Sequence, residues 1–388
     1  MDNKCLVSRK PIFHSKLDVA AYEVVGDDDA SRAIFGMLSE SGLDPILGDR
    51  PGYLNISPAA LAEGAWKRLP ADRMVLGFFD EFQPSDPAAE HLTMLVRDGY
   101  RIALSDRLCP ESLGMLGDSV EVIKVDVTQY APDLLENRVQ ELKKYKSKIL
   151  ADKVDTYDDL EFCKTLDFDL YTGRFLAKPA AQKNDALPVN RLAMLRLLAK
   201  LREPEITMQE LDKLISQDLT LSYKLLVHAN SGAVSLPQKV NSVSHALRLL
   251  GMNVLANWTS VLLLSSVEDK PRELMSMALI RARMCERLAE AVKKPDTDSF
   301  MLAGLFSVLD ALLDCSMEQA ISNLPLSDDV KAGLTKHTGA IGQTLRCTIA
   351  YEQGKWDDVQ YYGLSPAAIR EIYMEAIAWS RQLCSGLM

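Results

Sequence analysis

Seven polar residues of the first half stand where short apolar runs end. They are Glu23 in AYEVV, Asn55 in YLNIS, Asp106 in ALSDR, Lys124 and Asp126 in IKVDV, and Asp152 and Asp155 in LADKVD. Carboxylates and an amide gathered at one mouth can hold hard divalent cations through oxygen ligands and activate a water for phosphodiester hydrolysis. The same groups can instead cap the helices that follow, or pair with Lys124 and Lys153. Spacing alone leaves both readings open.

The elements that must position these residues can be read from periodicity. Before residue 180, short apolar runs (Val19 to Val25, Tyr53 to Ile56, Met74 to Phe79, Arg101 to Leu104, Val120 to Val127, Lys148 to Leu150, Phe175 to Leu176) alternate with amphipathic stretches at Ala88 to Arg97, Leu134 to Lys146 and Tyr157 to Leu166. Such alternation predicts parallel βαβ units closing into a TIM-like (β/α) barrel, whose chemistry belongs at the C-terminal ends of the strands. From Asn190 onward helical periods follow one another: Asn190 to Leu201, Met208 to Ser216, Thr220 to Ala229, Val243 to Leu250, Leu255 to Ser265, Leu274 to Val292, Phe300 to Asp314 and Pro366 to Leu383. That half reads as an all-α bundle. Between them AKPAAQKNDALP, bracketed by Pro179 and Pro188, is a poor helix or strand interior. The expected organisation is α/β plus all-α, with a barrel over 1–182, a linker over 183–189 and a helical domain over 190–388.

Composition excludes several classes. The 388 residues carry 44 basic and 54 acidic side chains, a net charge of −10. Up to Asp185 there are 23 basic and 32 acidic residues, and 21 against 22 thereafter. Neither half has the basic balance of a protein that depends on phosphate-backbone affinity, so no nucleic-acid partner is expected. The one dense basic run, KKYKSK, reads as a solvated helix end. Seven scattered cysteines without a CxxC pair argue against a zinc ribbon or a disulfide framework. The absence of an apolar run of about 18 residues predicts no membrane span and a cytoplasmic protein.

The order RKPIF, YEVV, LNISP, DGYRIALSD, IKVDV, ADKVD, GRFLAKP resembles, over nearly the whole first half, the EAL domain that hydrolyses cyclic di-GMP. The resemblance implies a TIM-like barrel and, in active members, two Mg²⁺ or Mn²⁺ ions. Carried over residue by residue, it also implies an eroded site. Glu23, Asn55, Lys124 and Asp126 match. Gly77 stands where the family has a metal-binding glutamate, and Ser105 replaces the first of two aspartates, leaving Asp106. Asp152 and Asp155 stand for glutamates, a shortening of about 1.5 Å each. Thr172 replaces a glutamine, and Asp27, within Asp27-Asp28-Asp29, stands where a phosphate-binding arginine is expected. Loss of two carboxylates suits Mg²⁺ badly, and a carboxylate facing a phosphodiester repels it.

In the second half, the segment LISQDLTLSYKLLVHANSGAVSLPQKVNSVSHALRLLGMNVLANW resembles the HDOD domain, a helical relative of the HD phosphohydrolases. Where an HD enzyme carries a His-Asp dipeptide, AGLFSVLDALLD places Ser307 and Val308, and Asp310 alone cannot rebuild a two-metal site. His228, His245 and His337 are widely spaced, as capping or packing residues would be. The resemblance implies a noncatalytic output module that recruits a protein partner. Ser235 to Ser242, with Pro237 and Lys239 between two helices, reads either as a contact loop or as a plain connector. Together the halves suggest a degenerate signal-transduction protein with no catalytic residues, no resident cofactor, and weak or no binding of cyclic di-GMP. A weak phosphodiesterase using Mg²⁺ or Mn²⁺, and a noncatalytic cyclic di-GMP receptor, are the alternatives.

Overall fold

A computed structural model describes the chain except for residues 1–5, 27–33, 36–37, 39–41, 81, 83–84, 109–113, 115, 117–118, 181–188, 204, 231–237, 268 and 388. The expected triple aspartate, most of the linker, and the first part of the contact loop at 235–242 lie outside the described residues. The chain divides into two compact units, 1–176 with 350–357, and 177–349 with 358–388.

The first unit is a closed eight-stranded barrel in sequence order: β1 Val7–Phe13, β2 Val19–Gly26, β3 Gly52–Asn55, β4 Met74–Phe78, β5 Arg101–Ser105, β6 Val120–Asp126, β7 Lys148–Asp152 and β8 Leu170–Tyr171. From β2 to β8 every pairing is parallel. The expectation of parallel units throughout fails at the start, where β1 runs antiparallel to both β2 and β8. Only five residues, His14 to Asp18, join β1 to β2, and a connection that short closes a hairpin but cannot cross over a sheet. A second correction concerns Phe175 and Leu176, which form a 3₁₀ turn rather than a strand. Gly173 bends the chain at φ 155°, close against the Val154 carbonyl, where any Cβ would clash. The Phe175 ring then packs edge-on against Phe13 and Tyr157.

One residue from each strand fills the barrel: Ile12, Ala21, Tyr53, Val75, Ala103, Val122, Leu150 and Leu170 are buried as one cluster. Strand side chains alternate, so the residues two positions nearer the C-terminal ends of β2 to β8 also face inward. These are Glu23, Asn55, Gly77, Ser105, Lys124, Asp152 and Thr172, and on antiparallel β1 the equivalent residue is Lys10, paired with Glu23. The pleat therefore builds the mouth. Proline in the first turn starts the helices Pro58–Ala62, Pro87–Arg97 and Pro132–Leu142. A Thr156–Asp159 capping box starts helix Tyr157–Thr165.

The second unit is helical among its described residues. Helix Arg272–Ala291 packs against helices Thr297–Phe306 and Pro366–Leu387. Gly304 permits the closest approach, since a Cβ there would stand 2.4 Å from the Arg281 carbonyl oxygen. The single helix expected from Phe300 to Asp314 is broken. Thr297–Phe306 ends at Ser307, whose hydroxyl donates to the Gly304 carbonyl at 2.7 Å, and Leu309–Leu313 follows. Helices Met317–Ile321, Asp328–Lys336 and Gly339–Gln353 complete a stretch without assigned elements in the sequence reading.

Candidate functional site

The barrel mouth opens into a cleft of about 510 Å³ that Phe79, Ser105, Lys124, Asp126 and Asp152 help to line. At its base the Lys124 ammonium lies between two carboxylates, 2.8 Å from Glu23 Oε1 and 3.2 Å from Asp152 Oδ2. Glu23 is 7% exposed. Burial pushes its carboxyl upward, but the charge and hydrogen bond of Lys124, the charge of Lys10 and a bond from Asn55 outweigh that and hold it below the usual range. Asp152 moves the other way: burial, reinforced by the neighbouring Glu23 charge, raises it despite Lys124. The trio therefore retains its negative charge most firmly on Glu23, and Asp152 is the readier proton acceptor. Burial alone would lower Lys124, yet the two carboxylates keep it raised and charged. Its ammonium also stands 5.2 Å from the centre of the Phe79 ring.

The other expected residues are not brought into this trio. Asp106, 1% exposed, also lines the cleft but pairs outside the trio; Tyr130 donates to its carboxylate, and Arg138 Nε lies 3.5 Å from it. Asp126 accepts from the Thr128 amide at 3.1 Å and pairs with Lys153 at 2.7 Å. Asp155 is gripped by Arg174, Nε at 3.0 Å. Thr172 donates to the Pro11 carbonyl at 2.9 Å. At Gly77 the room is taken: a Cβ would stand 2.8 Å from Asn55 Oδ1 and 2.7 Å from Phe79 Cε2. Lys10, Tyr130, Arg138 and Arg174 escaped the sequence reading. Period two along β1 points to Lys10, whereas the other three come from helices and loops whose register only folding sets.

The inward ring holds two carboxylates, Glu23 and Asp152, and two ammonium groups, Lys10 and Lys124, so it offers no net negative charge. Among the described residues no three His, Cys, Asp or Glu side chains are placed to share a metal. In the helical unit, His228 is buried edge-on against Trp258 at 4.4 Å, and burial lowers its ring to about 4. His245 lies 3.1 Å from the Gln238 amide. His337 ends helix Asp328–Lys336 in the left-handed region. Ser307 accepts from buried Arg281 at 3.2 Å, Val308 is fully buried, and burial raises the Asp310 carboxyl. Among the described residues, five cysteines are free thiols and no helix is long and apolar enough to cross a membrane.

Comparison with known proteins places these features. Residues 187–327 match the HDOD domain. The chain is 28% identical over 401 residues to the cyclic di-GMP phosphodiesterase CdgJ of Vibrio cholerae, covering 97% of this chain and 92% of that one. It is 26% identical over 407 residues to the uncharacterized protein YuxH of Bacillus subtilis, covering 98% and 99% respectively. Among solved structures, the EAL domain protein of Listeria monocytogenes aligns with a TM-score of 0.36 at 15% identity, over 45% of this chain and 87% of that one. The chain thus joins a closed eight-stranded barrel to helices that match the HDOD domain over residues 187–327.

Proposed function

We propose that this protein is a non-hydrolysing regulator in cyclic di-GMP signalling, which acts through protein contacts of its helical unit. One observation carries the reading: the Lys124 ammonium sits between Glu23 and Asp152, at 2.8 and 3.2 Å. An ammonium so placed supplies the positive charge that the carboxylates need, yet it has neither the coordination geometry nor the acidity to turn a bound water into a nucleophile at neutral pH. Gly77 and Ser105 bring no carboxylate to the ring, and Asp152 is paired with Lys124 at 3.2 Å. The HDOD helices, with Ser307 and Val308 in place of a His-Asp dipeptide, offer a scaffold for recruiting a protein partner. In this reading neither Mg²⁺ nor Mn²⁺ is a resident cofactor.

The relative's name favours a second reading, a metal-dependent cyclic di-GMP phosphodiesterase. The two are separated by incubating the full chain with cyclic di-GMP and Mg²⁺ or Mn²⁺ and resolving the products chromatographically. No linear dinucleotide above the blank is expected. Turnover at about 1 s⁻¹ or faster, inside the ordinary enzyme range, would establish the enzyme instead. Calorimetry on the same protein is expected to give a dissociation constant no tighter than about 1 μM.

A further inference from the structure

Helix Gly339–Gln353 presents Gln343, Arg346 and Cys347 on one side, at spacings of three and four, and the following chain returns Asp358, Tyr361 and Tyr362 against them. Between them is an open cleft of about 260 Å³, within the helical unit and separate from the barrel mouth. Its apolar part is fixed. Tyr361 is 3% exposed and its hydroxyl meets Thr344 Oγ1 at 2.9 Å. Tyr362, half exposed, stands edge-to-face with Tyr361 at 4.9 Å, and the Lys294 ammonium lies 4.1 Å from its ring centre. Its backbone is left-handed, φ 44°, a costly conformation for a bulky residue. An exposed ring held from two sides on a strained backbone is a preformed wall.

The polar part is charged and unspent. Arg346 Nη1 donates to the His337 carbonyl at 2.8 Å, which orients the guanidinium and leaves other N–H donors for a ligand. Asp358 lines the same cleft, yet among the described residues neither it nor Arg346 has an ion-pair partner within 4.0 Å. A cation and an anion that share one small cleft without meeting favour a ligand carrying both signs; a ligand of one sign gains from one and is repelled by the other. The guanidinium fork takes a carboxylate bidentately, Asp358 accepts from an ammonium, and the Gln343 amide can do either. The volume, below the roughly 300–1,000 Å³ of pockets for drug-sized ligands, suits a small ligand.

We propose that this cleft binds a free α-amino acid, with its carboxylate on Arg346 and its ammonium on Asp358. The test is saturation-transfer NMR on the full-length protein with a mixture of the twenty common L-amino acids. At least one is expected to show transfer from the protein, and its methyl ester and N-acetyl derivative, each lacking one charge, should show at least tenfold less. Arg346→Gln and Asp358→Asn, both at exposed side chains, should abolish the signal while the far-ultraviolet circular dichroism is retained. Absence of transfer from all twenty overturns the proposal, and so does transfer that survives esterification and acetylation. The analogue arm uses unaltered protein, so it decides the matter even if a variant misfolds.

Discussion

Lys124 replaces what the strand ends would otherwise require of a cation. Its removal should be costly, because Glu23 and Asp152 would be left facing each other in a half-dry mouth. Lys124→Met is expected to destabilise the barrel by about 3 kcal/mol, measured as a shift of the urea midpoint at unchanged slope. The pH dependence follows from the opposite displacement of the two carboxyls. Glu23 is held below its usual value of 4.5, so its stabilising contribution is complete above that value and is lost as pH falls through the lower, folded-state value. Asp152, held above its usual value, takes a proton earlier, and that step strengthens the fold relative to neutral pH. The stability advantage of the natural protein over Glu23→Gln should therefore shrink as pH falls below the usual glutamate value of 4.5. A difference that already declines between pH 7 and 5 would contradict this assignment. Gly77→Glu, which restores one expected carboxylate, should cost about 1–3 kcal/mol through collision with Phe79 and Asn55. It should not raise the melting temperature in Mg²⁺ or Mn²⁺, which a tightly bound ion would do by mass action.

Each element carries its own rule for what it tolerates. Strand β6 faces Lys124 into the barrel and ends at Asp126, which caps the next turn instead of joining the ring. One strand thus supplies a site residue and a structural cap within three positions. In the helical unit the crossing of Arg272–Ala291 and Thr297–Phe306 rests on bare backbone contact at Gly304. A methyl group there meets the Arg281 carbonyl oxygen at 2.4 Å and the Ala282 Cα at 2.6 Å, and neither can rotate away. Gly304→Ala should therefore cost about 3 kcal/mol despite the usual gain from alanine in a helix, a result thermal or urea unfolding would show directly. If the variant is as stable as the parent, the two helices are not packed as described.

At the scale of the whole molecule, one carboxylate gathers several partners. In the helical unit Asp314 accepts from the Ala180 amide at 2.8 Å, Arg191 at 2.9 Å and Lys270 at 2.5 Å, while Asp269 takes the other arm of Arg191. The same carboxylate thus holds chain on both sides of residues 181–188. The side chains of Arg191 and Lys270 are 7% and 6% exposed. Asp314→Ala should cost about 3–5 kcal/mol, because it leaves two cations out of water without their shared partner. Adding Lys270→Met should recover part of the loss, a non-additivity that a double-mutant cycle reads out. An additive result would mean that the pair does not interact.

Much of this architecture was legible in the chain alone. Alternating apolar runs disclosed strands β2 to β7 nearly to the residue, and helices Met208–Ser216 and Val243–Leu250 are bounded as their periods predict, because pleat and helical turn are local properties that hydrophobic pattern records. Four of the seven strand-end residues, Glu23, Asn55, Lys124 and Asp152, lie two positions beyond the inward layer, and their place at the mouth was legible for the same reason. The β1 hairpin was missed because Arg9 and Lys10 interrupt its apolar pattern, although its five-residue connection is local; the turn at Phe175 and the break at Ser307 were not legible, since each depends on one glycine or hydroxyl. Sequence also could not decide how the polar residues divide among themselves. Glu23, Asp106, Asp126, Asp152 and Asp155 are equivalent as strand-end carboxylates, and only the closed barrel sets Lys124 between the first and fourth, Arg138 beside the second, Lys153 beside the third and Arg174 beside the fifth. Ion pairing falls off over a few ångströms, and distances of that order between residues a hundred positions apart exist only in the folded chain.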